Sequence, residues 1–302
     1  MSASMSQVAP IDSPSSRAII SDPENFFAFK LAPVPRRQFL SERDQAFNAN
    51  TATGEILLDC SAELGTDYAA TTPLLLARYL RIQAGDTIST TRVASAEILY
   101  VMHGTGTSAG AGETIAWGAG DVMCFAGGLE VSHKATADTV LFTVCNEPLL
   151  ALEHLQAPRA GAARVGAVHW QHNAIEQHLD RVYARADSTE TAGRAVQLAS
   201  TSMAPTPLPV PSMNLAINTL EPGGDQRPHR HNGVAITLSI QGEGVHSMIE
   251  DERVDWSEGA AQITPATELH SHHNRGSKRM RSLVIQDEGV HFYTRTPGFS
   301  WT

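Results

Sequence analysis

The sequence predicts an all-β protein: two tandem jelly-roll β-barrels with a few linking helices. Two observations carry that reading. Short runs rich in β-branched and apolar residues, such as 235–240 and 281–285, alternate with turn residues at Gly223-Gly224, Gly242-Glu243-Gly244, Gly259 and Pro265. That spacing suits short antiparallel strands and not helices. The punctuation also occurs twice. Gly85, Gly104 and Gly106 recur 138 residues later as Gly223, Gly242 and Gly244, and Trp117, Gly120 and His133 recur 139 residues later as Trp256, Gly259 and His272. A repeat of this length is a whole domain, so two barrels of one design stand in tandem.

The elements follow in order. Residues 1–20, rich in Ser, Ala and Pro, have neither the basic start nor the apolar run of a signal peptide and are expected to be a disordered tail. The N-terminal barrel occupies 21–150. A connection follows over 151–212, where Ile175, Leu179 and Val182 recur at helical spacing and predict a helix over 173–186 that packs across the barrels. Pro205, Pro207, Pro209 and Pro211 then make 201–212 an extended strap, because each fixes φ and lacks a backbone donor. The C-terminal barrel spans 213–302.

The second barrel carries the residues suited to metal chemistry. In Pro228-His229-Arg230-His231 the two histidines stand at i and i+2, and on a strand such positions share one face of the pleat. One ion can therefore be chelated from a single strand while His270 approaches from a neighbouring one. Three neutral imidazoles leave coordination positions open, and imidazole suits Zn, Cu, Fe and Ni alike. His272, two residues beyond His270, faces the same interior and is the candidate catalytic group for proton transfer or hydrogen bonding. His273 points the other way. At the repeat positions of His229, His231 and His270 the first barrel has Thr91, Val93 and Val131. It keeps Glu97 where the second has Ala235, and one carboxylate without imidazoles makes a poor transition-metal site. His169, His172 and His178 have no ligand-like spacing and read as polar surface.

Composition narrows the function classes. A chain of 302 residues is enough for two compact cores, and a formal net charge of −10 argues against a nucleic-acid partner. The cluster Lys278, Arg279 and Arg281 reads as a solvated loop that can also draw an anionic substrate toward the barrel mouth. No apolar stretch is long enough to span a bilayer, so no membrane partner is expected. Cys60, Cys124 and Cys145 are few, odd in number and scattered, which fits reduced, buried thiols in a cytoplasmic protein better than a disulfide scaffold; a homo-oligomer is expected.

The spacings Gly223-x5-His229-x-His231-x3-Ala235-x6-Gly242 and Gly259-x5-Pro265-x4-His270-x3-Asn274 resemble the two signature motifs of the cupin superfamily, with Ala235 in place of the usual glutamate. The missing glutamate, the Gly-x-Gly turn, Trp256 and the pair His270-x-His272 are together similar to the gentisate 1,2-dioxygenase group of bicupins. The resemblance runs over 72–149 and 214–294. It implies Fe(2+) held by His229, His231 and His270, with a small-molecule substrate and dioxygen as partners. It further implies cleavage of an aromatic ring that bears a hydroxyl and a carboxylate, gentisate- or salicylate-like. Ring-cleaving members often carry an arginine eight residues after the first histidine, where this chain has Thr237. Thr237, Gln262 and Arg281 are the candidate substrate-binding residues, with Arg281 or Arg227 as the cation. The group commonly keeps its working iron in the first barrel, whereas here the second holds the ligands. Two other readings use the same residues: a metal-dependent isomerase, lyase or hydrolase with the ion as Lewis acid, and a non-catalytic barrel that binds a small ligand.

Overall fold

The computed structural model describes residues 13–23, 30–185, 194–296 and 298–301. Of the expected tail, 1–12 lie outside the described residues. Residues 1–33 form a unit by themselves, in which Ser15–Arg17 make a single exposed 3-10 turn, and 34–302 form a second unit that holds both barrels.

In the first barrel, helix α1 (Leu40–Phe47) precedes strand β1 (Gly54–Leu57), and α2 (Ser61–Leu64) leads to β2 (Leu76–Ile82). There follow β3 (Thr87–Thr91), β4 (Ala96–His103), β5 (Thr105–Gly110), β6 (Glu113–Gly118), β7 (Val122–Ala126), β8 (Glu130–Ala135) and β9 (Thr139–Cys145). The linking region holds α3 (Glu147–Leu152), β10 (Val168–Trp170), α4 (His172–Tyr183) and β11 (Arg194–Gln197). The second barrel continues with β12 (Asn214–Leu220), β13 (His229–His231), β14 (Ala235–Gln241), β15 (Val245–Ile249), β16 (Glu252–Asp255), β17 (Ala261–Thr264), β18 (His270–Asn274) and β19 (Met280–Gln286). Helix α5 (Gly289–Thr294) and β20 (Phe299–Trp301) come last.

The two barrels are wound identically. One pairs sheet β1-β2-β9-β4-β7-β10 with sheet β3-β8-β5-β6, and the other pairs β11-β12-β19-β14-β17 with β16-β15-β18-β13-β20. Apart from the added β10 and β20, each order maps onto the other by a shift of ten strands. Even the β-bulge is copied, between Val101 and His103 in one barrel and between Ser239 and Gln241 in the other. The Gly-x-Gly turn has a steric reason in the second barrel: Gly244 has φ +72°, and a Cβ there would lie 2.7 Å from the backbone of Gly276.

Strand alternation divides the residues into two populations. Outward residues of the two large sheets, among them Tyr79, Ile98 and Phe142 of one barrel and Leu215, Ile236 and Leu283 of the other, bury one another in a shared apolar layer. Polar contacts lock it: the Tyr79 hydroxyl donates to Gly259 O at 2.9 Å and accepts from Ala261 N at 3.2 Å. The segment before α1 also crosses to the second barrel, where Phe39 N donates to Ala261 O at 2.9 Å and Ile263 N to Arg37 O at 3.0 Å.

The linking region differs from expectation in three places. The helix is α4, which buries Ile175 and Leu179 and ends at Tyr183. His169 and His172 are docked and not merely surface: Asp121 Oδ2 lies 3.0 Å from His169 Nε2, and Asp121 Oδ1 accepts from His172 N at 2.7 Å, so this carboxylate caps α4 from the barrel. His178 is exposed. The region also supplies β10 to one large sheet and β11 to the other, and the proline strap begins with a 3-10 turn at Thr201–Met203.

Inward residues separate the twins. Leu80, Leu99, Met123, Phe125 and Val131 fill the first barrel with a compact apolar cluster. Their repeat positions hold Asn218, Thr237, Gln262, Thr264 and His270. The rest of the first interior is closed by buried charge. Arg92 Nε bonds Glu97 Oε1 at 2.9 Å and its Nη1 reaches Glu55 at 2.9 and 3.0 Å, while Arg78 pairs with Glu55 at 3.2 Å and also with Glu147. Both guanidiniums are more than nine-tenths buried, at 4% exposure for Arg78 and 7% for Arg92. Removing one partner of such a cluster leaves charge in a medium of low dielectric. Glu97→Ala is therefore expected to cost about 3 kcal/mol, read as a lowered denaturation midpoint with metal content unchanged; an unshifted midpoint would show that the network does not hold the first barrel together.

Candidate metal centre

Three imidazoles meet where β13 and β18 run side by side. His229 and His231 alternate with Arg230 on β13, and His229 is in register with His270 across the ladder. Ring centroids are 4.2 Å apart for His229 and His270 and 4.5 Å for His231 and His270, and potential ligand atoms of all three lie within 4.8 Å of one another. All three side chains are buried.

Their tautomers follow from the backbone. His229 Nδ1 lies 3.0 Å from Arg227 O, His231 Nδ1 2.7 Å from Gly233 O, and His270 Nδ1 2.9 Å from Glu268 O. A carbonyl oxygen only accepts, so each Nδ1 carries the hydrogen and each Nε2 presents a lone pair. Burial keeps the rings neutral. It lowers His229 and takes His231 down to about 4; at His270, burial together with the adjacent His231 and His229 brings the value to about 2. Three neutral, pre-oriented nitrogens are what a divalent ion of the imidazole-binding class requires. Ala235 leaves the usual carboxylate position empty of any donor.

His272 has the opposite tautomer. Ser247 Oγ accepts from Trp256 Nε1 at 2.7 Å and from Gln262 Nε2 at 3.1 Å, so its own hydrogen goes to His272 Nδ1, 2.8 Å away. His272 then bears its hydrogen on Nε2 and offers the cavity a donor. Burial holds its pKa near 3, so it stays neutral. The first barrel keeps the same relay, Trp117 to Ser108 at 2.8 Å and Ser108 to His133 at 2.7 Å, without the three histidines.

The triad opens into a cavity of about 420 Å³. Thr237 and His272 line it. Gln262 sits opposite Thr237 in the ladder, where it supports Ser247. Arg281 requires correction as a cavity residue: Met280, Val284 and Gln286 of β19 line the cavity, while Arg281 lies on the other face and donates to Glu176 of α4 at 2.7 Å. Arg227 is exposed and stacks on Trp301 at 5.0 Å. His273 points outward, against Asp225 and stacked on His246 at 4.8 Å.

Several lining residues escaped the sequence reading. Arg194, on β11, is the arginine that lines the cavity among the described residues. Phe299 and Trp301 come from β20, which among the described residues pairs with β13 alone; Phe299 stacks on His229 at 4.8 Å and 24°. The alternation Phe299-Ser300-Trp301 was the available strand signal. Glu288, beyond the end of β19, also reaches the lining.

Residues 216–286 match the Cupin domain family. No curated protein sequence matches the chain. Among solved structures it is similar to salicylate 1,2-dioxygenase from Pseudaminobacter salicylatoxidans, with TM-score 0.76 at 11% identity over 97% of this chain and 99% of the other. The same enzyme with gentisate bound gives 0.75 at 11% identity over 97% and 95%. A variant of Bacillus subtilis oxalate decarboxylase gives 0.59 at 14% identity over 89% and 80%. The chain thus has the bicupin fold, and the match to the cupin family lies in its second barrel.

Two outcomes test the centre. Elemental analysis is expected to find about one ion per chain, lost in His229→Ala and kept in Thr91→Ala, since two remaining imidazoles make a weak site; two ions, or full loading of His229→Ala, would place the metal elsewhere. For metal-free protein, the histidines have lower pKa values folded than the ordinary 6.5, so the unfolded chain binds more protons below that pH. Stability is then complete above 6.5 and falls as the pH drops from 6.5 toward 4. Denaturation midpoints that stay flat across that window would contradict buried neutral rings.

Proposed function

We propose that this bicupin is an iron(II)-dependent dioxygenase that opens the ring of a hydroxylated aromatic acid of the gentisate or salicylate type. The observation that carries the reading is the cavity: three Nε2 lone pairs converge with no carboxylate ligand among them, beside an aromatic wall and an arginine. The fold shared with salicylate 1,2-dioxygenase supports it.

Bound iron would supply the electronic coupling between substrate and dioxygen. The chain's own residues do the rest. Arg194 pairs with the substrate carboxylate, in the role expected of Arg281 or Arg227. His272 donates its Nε2 hydrogen to a substrate oxygen, and the Trp256–Ser247 relay keeps that donor fixed. Phe299 and Trp301 present flat apolar surface to an aromatic ring and keep water from the triad. A cytoplasmic homo-oligomer acting in aromatic catabolism is the matching cellular role.

The second reading is a metal-dependent lyase or isomerase. It draws on the likeness to oxalate decarboxylase and on the five amide side chains that line the cavity, Gln197, Asn214, Asn218, Gln226 and Gln286, which suit a substrate richer in oxygen than a benzoate.

An oxygen electrode separates the two. With iron(II) and gentisate or a substituted salicylate, oxygen uptake is expected to match substrate loss; turnover without oxygen would reject the dioxygenase and favour the lyase. His272→Ala is expected to keep its iron and lose roughly a hundredfold in kcat, while Arg194→Gln is expected to raise KM about tenfold or more for carboxylated substrates. An Arg194 variant with unchanged KM would remove the residue from the substrate's carboxylate.

A further inference from the structure

Comparison of the twin barrels isolates one carboxyl group that the second barrel has released from pairing. Leu76 and Glu97 flank Cys145 in the first large sheet as Asn214 and Ala235 flank Gln286 in the second, so Cys145 corresponds to Gln286. Two residues further on, Glu147 corresponds to Glu288. In the first barrel Glu147 is bound to Arg78 and, although burial opposes it, that guanidinium holds its carboxyl below the usual range. The position of Arg78 in the second barrel is Ala216. Glu288 instead accepts a hydrogen bond from Asn214 Nδ2 at 2.7 Å, and burial pushes its carboxyl up. A neighbouring carboxyl, Asp287, is buried and directed to Val234 N at 2.8 Å, away from the lining.

The other ionisable groups of the cavity are already committed. Among the described residues they are Arg194 and the four histidines. Arg194 remains protonated, three histidines direct their lone pairs toward one another's ligand atoms, where they would hold an ion, and His272 has its lone pair tied to Ser247. Among the described residues the cavity therefore contains a fixed donor and one carboxylate able to take up a proton, that of Glu288.

We propose that Glu288 is the catalytic proton acceptor of this site, taking the proton from the hydroxyl of a hydroxylated substrate as that substrate binds the metal, with Asn214 as the residue that positions it. The substrate O–H bond breaks, its electron pair stays on the oxygen, and the proton passes to a Glu288 oxygen to give a neutral carboxyl. Binding thus moves the proton within the cavity and sends none to solvent. The assignment rests on the substrate class of the preceding section, but not on oxygen chemistry.

The test is proton counting by titration calorimetry. Salicylate is bound to the anaerobic iron(II)-loaded protein in two buffers of different ionisation enthalpy, with 2-methoxybenzoate, which lacks the proton, as control. Wild type is expected to release almost no proton to buffer, and Glu288→Gln to release about one while binding about tenfold more weakly. Glu288→Asp is expected to restore retention, and all variants to keep wild-type iron content, which reports an intact barrel. Equal proton counts in wild type and Glu288→Gln overturn the proposal. Absence of binding by salicylate and gentisate overturns both it and the substrate class. Binding with proton retention but no oxygen uptake in air rejects the dioxygenase alone and leaves Glu288 in place.

Discussion

The apolar layer between the two large sheets is the constraint on which the rest depends. A strand has two faces, and in both barrels the outward face of the large sheet is committed to that layer by residues such as Phe142 and Leu283. Neither sheet can slip by one residue without turning its apolar set into its own barrel. Register is thereby fixed over the whole strand, and with it the direction of every inward side chain. Thr237 and Val284 face the cavity, opposite the sheet that carries His229, His231 and His270, because the layer behind the barrel holds their ladders in place.

With the outer faces fixed, divergence is confined to the interiors. One barrel is filled with leucine, methionine, phenylalanine and a buried ionic cluster, and the other is hollow and polar. The change needs no rearrangement of strands, since order and bulge are the same in both. A site that must hold ionisable groups apart from water costs stability, because desolvated imidazoles and an unpaired carboxyl are unfavourable. The filled twin offsets that cost within the same molecule. Its arginines also show what the second barrel avoids, since a guanidinium at the place of Ala216 would hold Glu288 ionised in a closed pair.

Much of this was legible in the chain, for identifiable reasons. The repeat was visible because its glycines and tryptophans answer steric needs that depend on sequence spacing, and the triad because a period of two is all that a strand requires to aim two histidines together. Arg281 was misplaced by the same rule applied without a register: one residue along β19 separates cavity from exterior. Arg194 was missed because β11 lies in the linking region, ahead of the glycines that mark the second copy of the repeat, and Phe299 and Trp301 because β20 has no counterpart in the first barrel. Glu288 was hidden because it follows the end of a strand, where alternation no longer applies. The tautomers were beyond reach, since backbone carbonyls and a serine hydroxyl set them and neither leaves a mark on residue spacing.

The duplicated Trp–Ser–His relay gives the molecule an internal standard. His133 and His272 share a donor chain and near-complete burial, yet His133 lies against Thr90 and an apolar cluster while His272 faces the metal cavity. In a nitrogen-detected magnetic resonance spectrum the two imidazoles form a matched pair in one sample. The His133 signal supplies the baseline for temperature, pH and tautomer, and the difference between the two rings isolates what metal and ligand contribute, without recourse to a second protein.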